Sequence, residues 1–406
     1  MFPKVSKFKS PIYLDYAATT PVDPRVIKAM APFWSRSFGN PSGLYGQGRE
    51  AKKAVDESRK KIADVIGAKP SEIIFTAGGT ESVNLAIFGA ARNYQNTSKK
   101  KYHLITSAIE HHCVINSFKA LAGEGYKTSL IGVNADGFVK LDDLKKAVRP
   151  ETILISVMLA NNEIGTIEPV AEIGKWLKKI NTDREQNGLT RIVLHTDACQ
   201  AAGFLDIDVN RLGVDLMSIN GSKLYGPKQS GFLYVRNGSV LKPLIYGGGQ
   251  ERALRSGTEN VPGVVGLAKA LELVTQDRKL RNLEIGKLQK YFVEKLVKID
   301  GVKLNGPADY QKRLVNNIGV TIQEVEGEAL MLYLDSYGIA VSTGSACSTG
   351  SLDASHVLLA IGRSQKDAKS SIRFSLGKNT NKADLDYVLK VLPLIVSEMR
   401  KIKLEI

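Results

Sequence analysis

Short apolar runs bounded by polar residues recur along the first two thirds of the chain. They are "EIIFT" (72–76), "HLITS" (103–107), "TILISVM" (152–158), "RIVLHTD" (191–197), "VDLMSI" (214–219) and "GFLYV" (231–235). Runs this short and rich in β-branched residues predict strands buried on both faces. Between most of them apolar residues recur at helical spacing, as in "TESVNLAIFGAARNYQ" and "VAEIGKWLKKIN". Strand and helix in alternation predict an α/β fold with a mainly parallel sheet sandwiched by helices. A long helical stretch opens near residue 261 ("VPGVVGLAKALELVTQ"), and the remainder mixes helix with short strands such as "VNNIGVTI". At 406 residues two domains are expected: a large one over 14–261, and a smaller α+β one built from 1–13 and 262–406. "NTDREQNG" (181–188) reads as a polar loop.

Composition narrows the class. Hydrophobic content of 43% and charge of 24% are those of a soluble globular protein. No apolar run approaches the roughly 20 residues that span a bilayer, so no membrane partner is expected. The N-terminus "MFPKVSKFKS" is basic but lacks the apolar stretch of a signal peptide. Three widely spaced cysteines suit neither a disulfide framework nor a zinc site, which implies a reducing, cytoplasmic setting and no metal. The 56 Lys and Arg against 41 Asp and Glu give a net charge of +15. The basic residues are scattered and not interleaved with aromatics, so a lysine-rich surface or an acidic protein partner is expected rather than direct nucleic-acid binding.

Candidate chemistry gathers just past the strands. In open α/β sheets, ligands bind beyond the carboxyl ends of the strands. Here those ends carry "TAGGTES", "AIEHH", "LANNE", Asp197 and "NGSK". "TAGGTES" (76–82) is a Gly-rich turn opening a helix, a place for a phosphate, and it matches neither nucleotide-binding glycine pattern. A strand-end Lys223 with an aspartate on the neighbouring strand suits pyridoxal 5'-phosphate, which needs an amine for its aldehyde and a carboxylate for its ring nitrogen. His111 either starts a helix or lies over the ring as stacking and acid–base group. Cys347, in "VSTGSACSTGSL" (341–352), sits among Gly, Ser and Thr with no apolar neighbours, so its thiol is either incidental or placed to react. Cys113 and Cys199 fall inside strand–helix segments and read as packed, with a place near the ring left open for Cys199, two residues from Asp197.

The ordered set "YLDYAATTP", "FGNPSG", "TAGGTESVNLAI", "EHH", "NNEIG", "HTDACQ", "SKLYGPK", "RSGTEN", "STGSACSTGSL" and "SSIRFSLG" resembles cysteine desulfurases of the NifS/IscS type. Those enzymes belong to the class V aminotransferase superfamily of PLP-dependent fold type I. The likeness runs from about residue 11 to 385.

The resemblance implies roles position by position. Lys223 would form the imine with the cofactor and remove the substrate's Cα proton. His111 would stack on the ring, Asp197 pair with its nitrogen, and Gln200 meet its hydroxyl. Gly79 and Thr80 would hold the phosphate, joined by Thr258 from the other subunit of a homodimer. Asn162 would border the cofactor and, with Arg373, grip the substrate carboxylate. Cys347 would attack the sulfur of bound L-cysteine, leaving alanine and a persulfide on a mobile loop of the small domain. That attack calls for a nearby base, and His111 is the candidate. The sulfur would pass to an iron–sulfur scaffold, a tRNA-thiolation protein, or both. Asn220 and Ser222 stand where the family usually has the serine and histidine of "SGHK", removing the histidine as a phosphate ligand, and "GGTES" replaces the commoner "GATES". A selenocysteine lyase or another enzyme of the superfamily remains open, although Cys347 argues against a true aminotransferase. So does a basic sulfur carrier or RNA-associated scaffold without catalysis.

Overall fold

The computed structural model describes residues 11–94, 102–343 and 354–404. Among them lie β1 (Ile12–Tyr13), β2 (Ile73–Thr76), β3 (His103–Ser107), β4 (Lys127–Ile131), β5 (Thr152–Ser156), β6 (Val193–Asp197), β7 (Leu216–Asn220), β8 (Gly231–Val235), β9 (Val302–Leu304), β10 (Asn317–Ile322), β11 (Ile339–Ala340) and β12 (Ser371–Ser375). All six expected strands form. They join β4 in one seven-stranded sheet of order β2-β8-β7-β6-β5-β3-β4. The five strands from β7 to β4 are parallel; β8 runs antiparallel to both β7 and β2, so β2 points the same way as the five. Strands β3, β5 and β6 are buried at every residue, as their continuous apolar runs require. β4 ("KTSLI") is a mostly exposed edge strand, and its polar character hides it from a search for apolar runs.

Helices cover both faces. Gly46–Ile66 buries Ala51, Val55, Ile62, Ala63 and Ile66 along one stripe and ends at Gly67, whose φ of 68° suits a residue without a side chain. Val261–Gln276 starts with Pro262 in its first turn and the Asn260 side chain accepting from the Gly263 N–H (3.1 Å). It packs into the same apolar core. A second core gathers Leu14 with residues from Ile285 to Val396 around the antiparallel sheet β12-β10-β9. β1 pairs in parallel with β11 at Ile12–Ile339, which draws the N-terminal segment onto this second unit. No helix among the described residues is long and apolar enough to cross a membrane.

The segment 181–188 departs from the sequence reading: helix Val170–Gln186 runs through most of it. Two of its polar side chains are buried because they satisfy backbone at a sheet edge. Asn181 exchanges two hydrogen bonds with the backbone of Ile192 (2.9 and 2.8 Å), and Arg184 donates to the carbonyls of Arg149, Pro150, Thr152 and Thr190. A polar string can be structural when its donors meet otherwise orphaned carbonyls.

Inside the sheet, two imidazoles act as rungs. His103 lies within 2.8 Å of Thr152 Oγ1 on β5 and 2.9 Å of Ser129 Oγ on β4. His195 lies within 2.8 Å of Ser156 Oγ on β5 and 2.9 Å of Ser218 Oγ on β7. Burial pulls both rings down to about 4, so each is neutral, with one nitrogen to donate and one to accept. The unfolded chain therefore binds more protons than the fold below the ordinary histidine value, and this stability is lost as pH falls from about 6.5 towards 4, by roughly 3 kcal/mol per ring at most. Urea denaturation across that range should show the loss, with a smaller slope in His195→Gln. An unchanged slope would contradict the assignment. A second expectation concerns Glu251, Arg252 and Ala253, whose φ values of 45°, 58° and 61° put three consecutive L-residues in the left-handed region. Ala253→Gly should stabilise the protein by about 1 kcal/mol, read as a raised urea midpoint at unchanged slope.

Candidate functional site

The carboxyl ends of β2, β3, β5, β6 and β7 share one edge of the large sheet, and each carries a side chain singled out in the sequence. After β2 the chain turns at Gly78 (φ 145°) into helix Gly79–Arg92. A Cβ at position 79 would lie 2.7 Å from Cys199 Sγ and 3.3 Å from Asn220 Cβ, so only glycine fits there. The second glycine of "GGTES" thus accommodates the thiol of "DACQ". This helix start opens on a cavity of about 630 Å³ lined by Thr19, Gly79, Thr80, Asn220, Ser222 and Lys228, among others. Its first-turn N–H groups and dipole favour an anion.

After β7, Asn220 Oδ1 accepts from the Ser222 N–H (3.1 Å) and the Ser222 hydroxyl (3.0 Å), shaping the turn that carries Lys223. Lys223 Nζ donates to the Ala18 carbonyl. After β6, buried Asp197 accepts from the Cys199 N–H (2.9 Å), and Gln200 donates to the Ala17 carbonyl (2.9 Å). After β3, His111 caps helix His112–Gly123: its Nδ1 accepts from the Cys113 N–H (3.1 Å) and lies 3.0 Å from Cys113 Sγ. Burial holds the His111 ring below its ordinary value, against the opposing pull of Asp197 and with help from His112 and Lys223. His111 therefore senses the charges of both Asp197 and Lys223. The two other thiols are pushed up by burial and stay protonated.

β5 and the second sheet meet at the substrate candidates. Arg373, on β12 and almost fully buried, donates from Nη1 to the Asn162 carbonyl (3.0 Å) and from Nη2 to Asp15 (2.7 Å). Its Nε is buried without a partner, as is the hydroxyl of Thr19 in the cavity above. A buried guanidinium with an unmet donor fits a carboxylate ligand.

Cys347 lies outside the described residues, but both flanks of its segment are pinned to this site. On one side Ser342 and Arg373 exchange two backbone hydrogen bonds (3.2 and 2.7 Å). On the other side Ser355 donates to Glu163, next to Asn162, and His356 Nε2 lies 2.8 Å from the carbonyl of Glu110, next to His111. Buried Glu110 accepts from Ser107 and from the Met158 N–H (both 2.7 Å) and is raised to about 8 by burial, so it joins β3 to β5 without adding charge at neutral pH.

Thr258 is not brought to the cavity of Gly79 and Thr80 within one chain; it lines a neighbouring cavity of about 200 Å³ with Phe75, Glu251 and Arg255. Sequence reasoning missed the part played by residues 15–19, whose carbonyls, carboxylate and hydroxyl close the site over Lys223, Gln200 and Arg373. The signal was present in "YLDYAATTP", but nothing in that string names a partner. Among the described residues no cluster of His, Cys, Asp and Glu could hold a metal.

Over nearly its whole length the chain is similar to known proteins. Cysteine desulfurase IscS of Dictyoglomus turgidum is 48% identical over 395 residues, 97% of this chain and 96% of that one. A solved structure described as a NifS-like protein superposes with a TM-score of 0.87 at 37% identity, covering 95% of this chain and 99% of that one. Another, described as SspA in complex with cysteine, gives a TM-score of 0.78 at 38% identity over 90% and 98%. The family model for aminotransferase class V matches residues 12–388, from the strand that precedes Asp15 to the helix beyond Arg373, and the chain belongs to that family.

Proposed function

We propose that the chain is a pyridoxal-phosphate-dependent cysteine desulfurase that takes sulfur from L-cysteine, leaves L-alanine, and carries the sulfur on Cys347 as a persulfide. The observation that carries this reading is the anchoring of the Cys347 segment, one flank on the backbone of Arg373 and the other beside Asn162 and His111.

The residues present fit the cofactor. Gly79, Thr80, Asn220 and Ser222 border the cavity at the helix start, where N–H donors suit its phosphate. Asp197 would meet the ring nitrogen, Gln200 the ring hydroxyl, and His111 the ring face. Lys223, held at the end of β7, would attach to the aldehyde and then move the Cα proton. Bound, the cofactor supplies an electrophilic aldehyde and a protonated ring that takes up electron density when that proton leaves. Asn162 and Arg373 orient the substrate carboxylate, and Arg373 is already rigid because its own backbone and fork are bonded. The Cys347 sulfur then bonds to the substrate sulfur as the substrate's Cβ–S bond breaks. Thr258 completes the phosphate site from the partner subunit of a homodimer, and an acceptor protein of iron–sulfur assembly or tRNA thiolation takes the sulfur onward.

With L-cysteine and a reductant the purified protein should release sulfide and alanine in equal amounts. Cys347→Ser should keep the cofactor's absorbance and lose at least about a hundredfold in sulfide release; a wild-type rate would refute the persulfide assignment. Arg373→Lys, which replaces a planar fork with a point charge, should raise KM for cysteine roughly tenfold or more while cofactor content is unchanged. An unaltered KM would remove Arg373 from substrate binding.

A further inference from the structure

We propose that His111 carries its proton on Nε2 and serves the pocket as a hydrogen-bond donor, not as the base that deprotonates a thiol. One hydrogen beside the ring has a certain place, because a backbone amide always carries one. The Cys113 N–H is directed at His111 Nδ1 over 3.1 Å, so that nitrogen must present its lone pair. The Cys113 Sγ lies 3.0 Å from the same nitrogen, and its thiol retains its proton, so it too is a donor there. A neutral ring with Nδ1 as acceptor has its hydrogen on Nε2. A second proton could enter only at Nδ1, where it would face the N–H and break the cap.

The surroundings act in the same sense. Helix His112–Gly123, 12 residues long, places the positive end of its dipole on the ring. His112, whose ring centroid is 6.4 Å away, and Lys223 oppose a positive charge on His111, and Asp197 alone favours one. The third nearby imidazole, His356, meets the Glu110 carbonyl instead. The two readings of His111 from the sequence, helix start and ring neighbour, are thus coupled: its use as a cap dictates which nitrogen the pocket sees. In that state its one basic lone pair is taken up by the cap and does not serve to accept a proton from Cys347 or from substrate. It steadies an anionic sulfur or oxygen through Nε2–H.

The donor role rests on the desulfurase reading; the tautomer does not, so the two are tested separately. Nitrogen-15 NMR of the cofactor-free wild-type chain at neutral pH, with His111 assigned by difference from His111→Asn, should give the Nε2–H pattern. Cys113→Ala should keep that pattern, since the amide remains. An Nδ1–H or imidazolium pattern would overturn the proposal. In sulfide assays of the loaded enzyme, His111→Gln sets an amide NH2 near the place of Nε2, whereas His111→Asn retains the cap but lacks that donor. The Gln variant should keep about tenfold more kcat. Equal loss, or a better Asn variant, would overturn the donor role, whereas a wild type without sulfide release would instead refute the desulfurase reading and leave the NMR result standing.

Discussion

Everything in the site depends on the burial of β2, β3, β5, β6 and β7 on both faces. A strand so enclosed has no room for a reactive side chain along its length, and its polar residues must be matched internally, as His103 and His195 are by flanking hydroxyls. Chemistry can emerge only where the strands end. Because β2, β3, β5, β6 and β7 point the same way, those ends fall on one edge, and Gly79, His111, Asn162, Asp197 and Lys223 arrive there without any special folding of the segments between them.

The second constraint is closure. The edge is roofed by a segment that packs with the second core: β1 pairs with β11, Asp15 holds Arg373, and the carbonyls of Ala17 and Ala18 receive Gln200 and Lys223. The unit that supplies Arg373 also frames the Cys347 segment. A pair of backbone hydrogen bonds, Ser342 with Arg373, ties the arginine proposed to bind substrate to the residues that precede the Cys347 segment.

The strands, the helical layers and the polar strand ends were legible because each has a local signature: β-branched runs, helical periodicity, glycine turns. β4 was not, because an exposed edge strand need not be apolar. The helical course of 181–186 was not, because Asn181 and Arg184 are held by backbone groups far along the chain. Among site residues, Lys223, Asp197 and His111 stood out from their positions after strands. The need for Gly79 could not be read, since it lies in a contact with Cys199 about a hundred residues away. Nor could the role of Asp15, whose partner Arg373 is more than three hundred residues distant. What is encoded at long range surfaces only in three dimensions, and in this molecule that includes the closure of the site and the tautomer of His111.

The central claim is that one amine, Lys223 Nζ, takes up the cofactor's aldehyde at the edge of the large sheet. Borohydride reduction of the loaded protein followed by peptide mass mapping tests it directly. A single pyridoxyl adduct on the peptide that contains Lys223, absent after Lys223→Ala, is the expected result. An adduct on another lysine, or none on a yellow protein, would contradict the account.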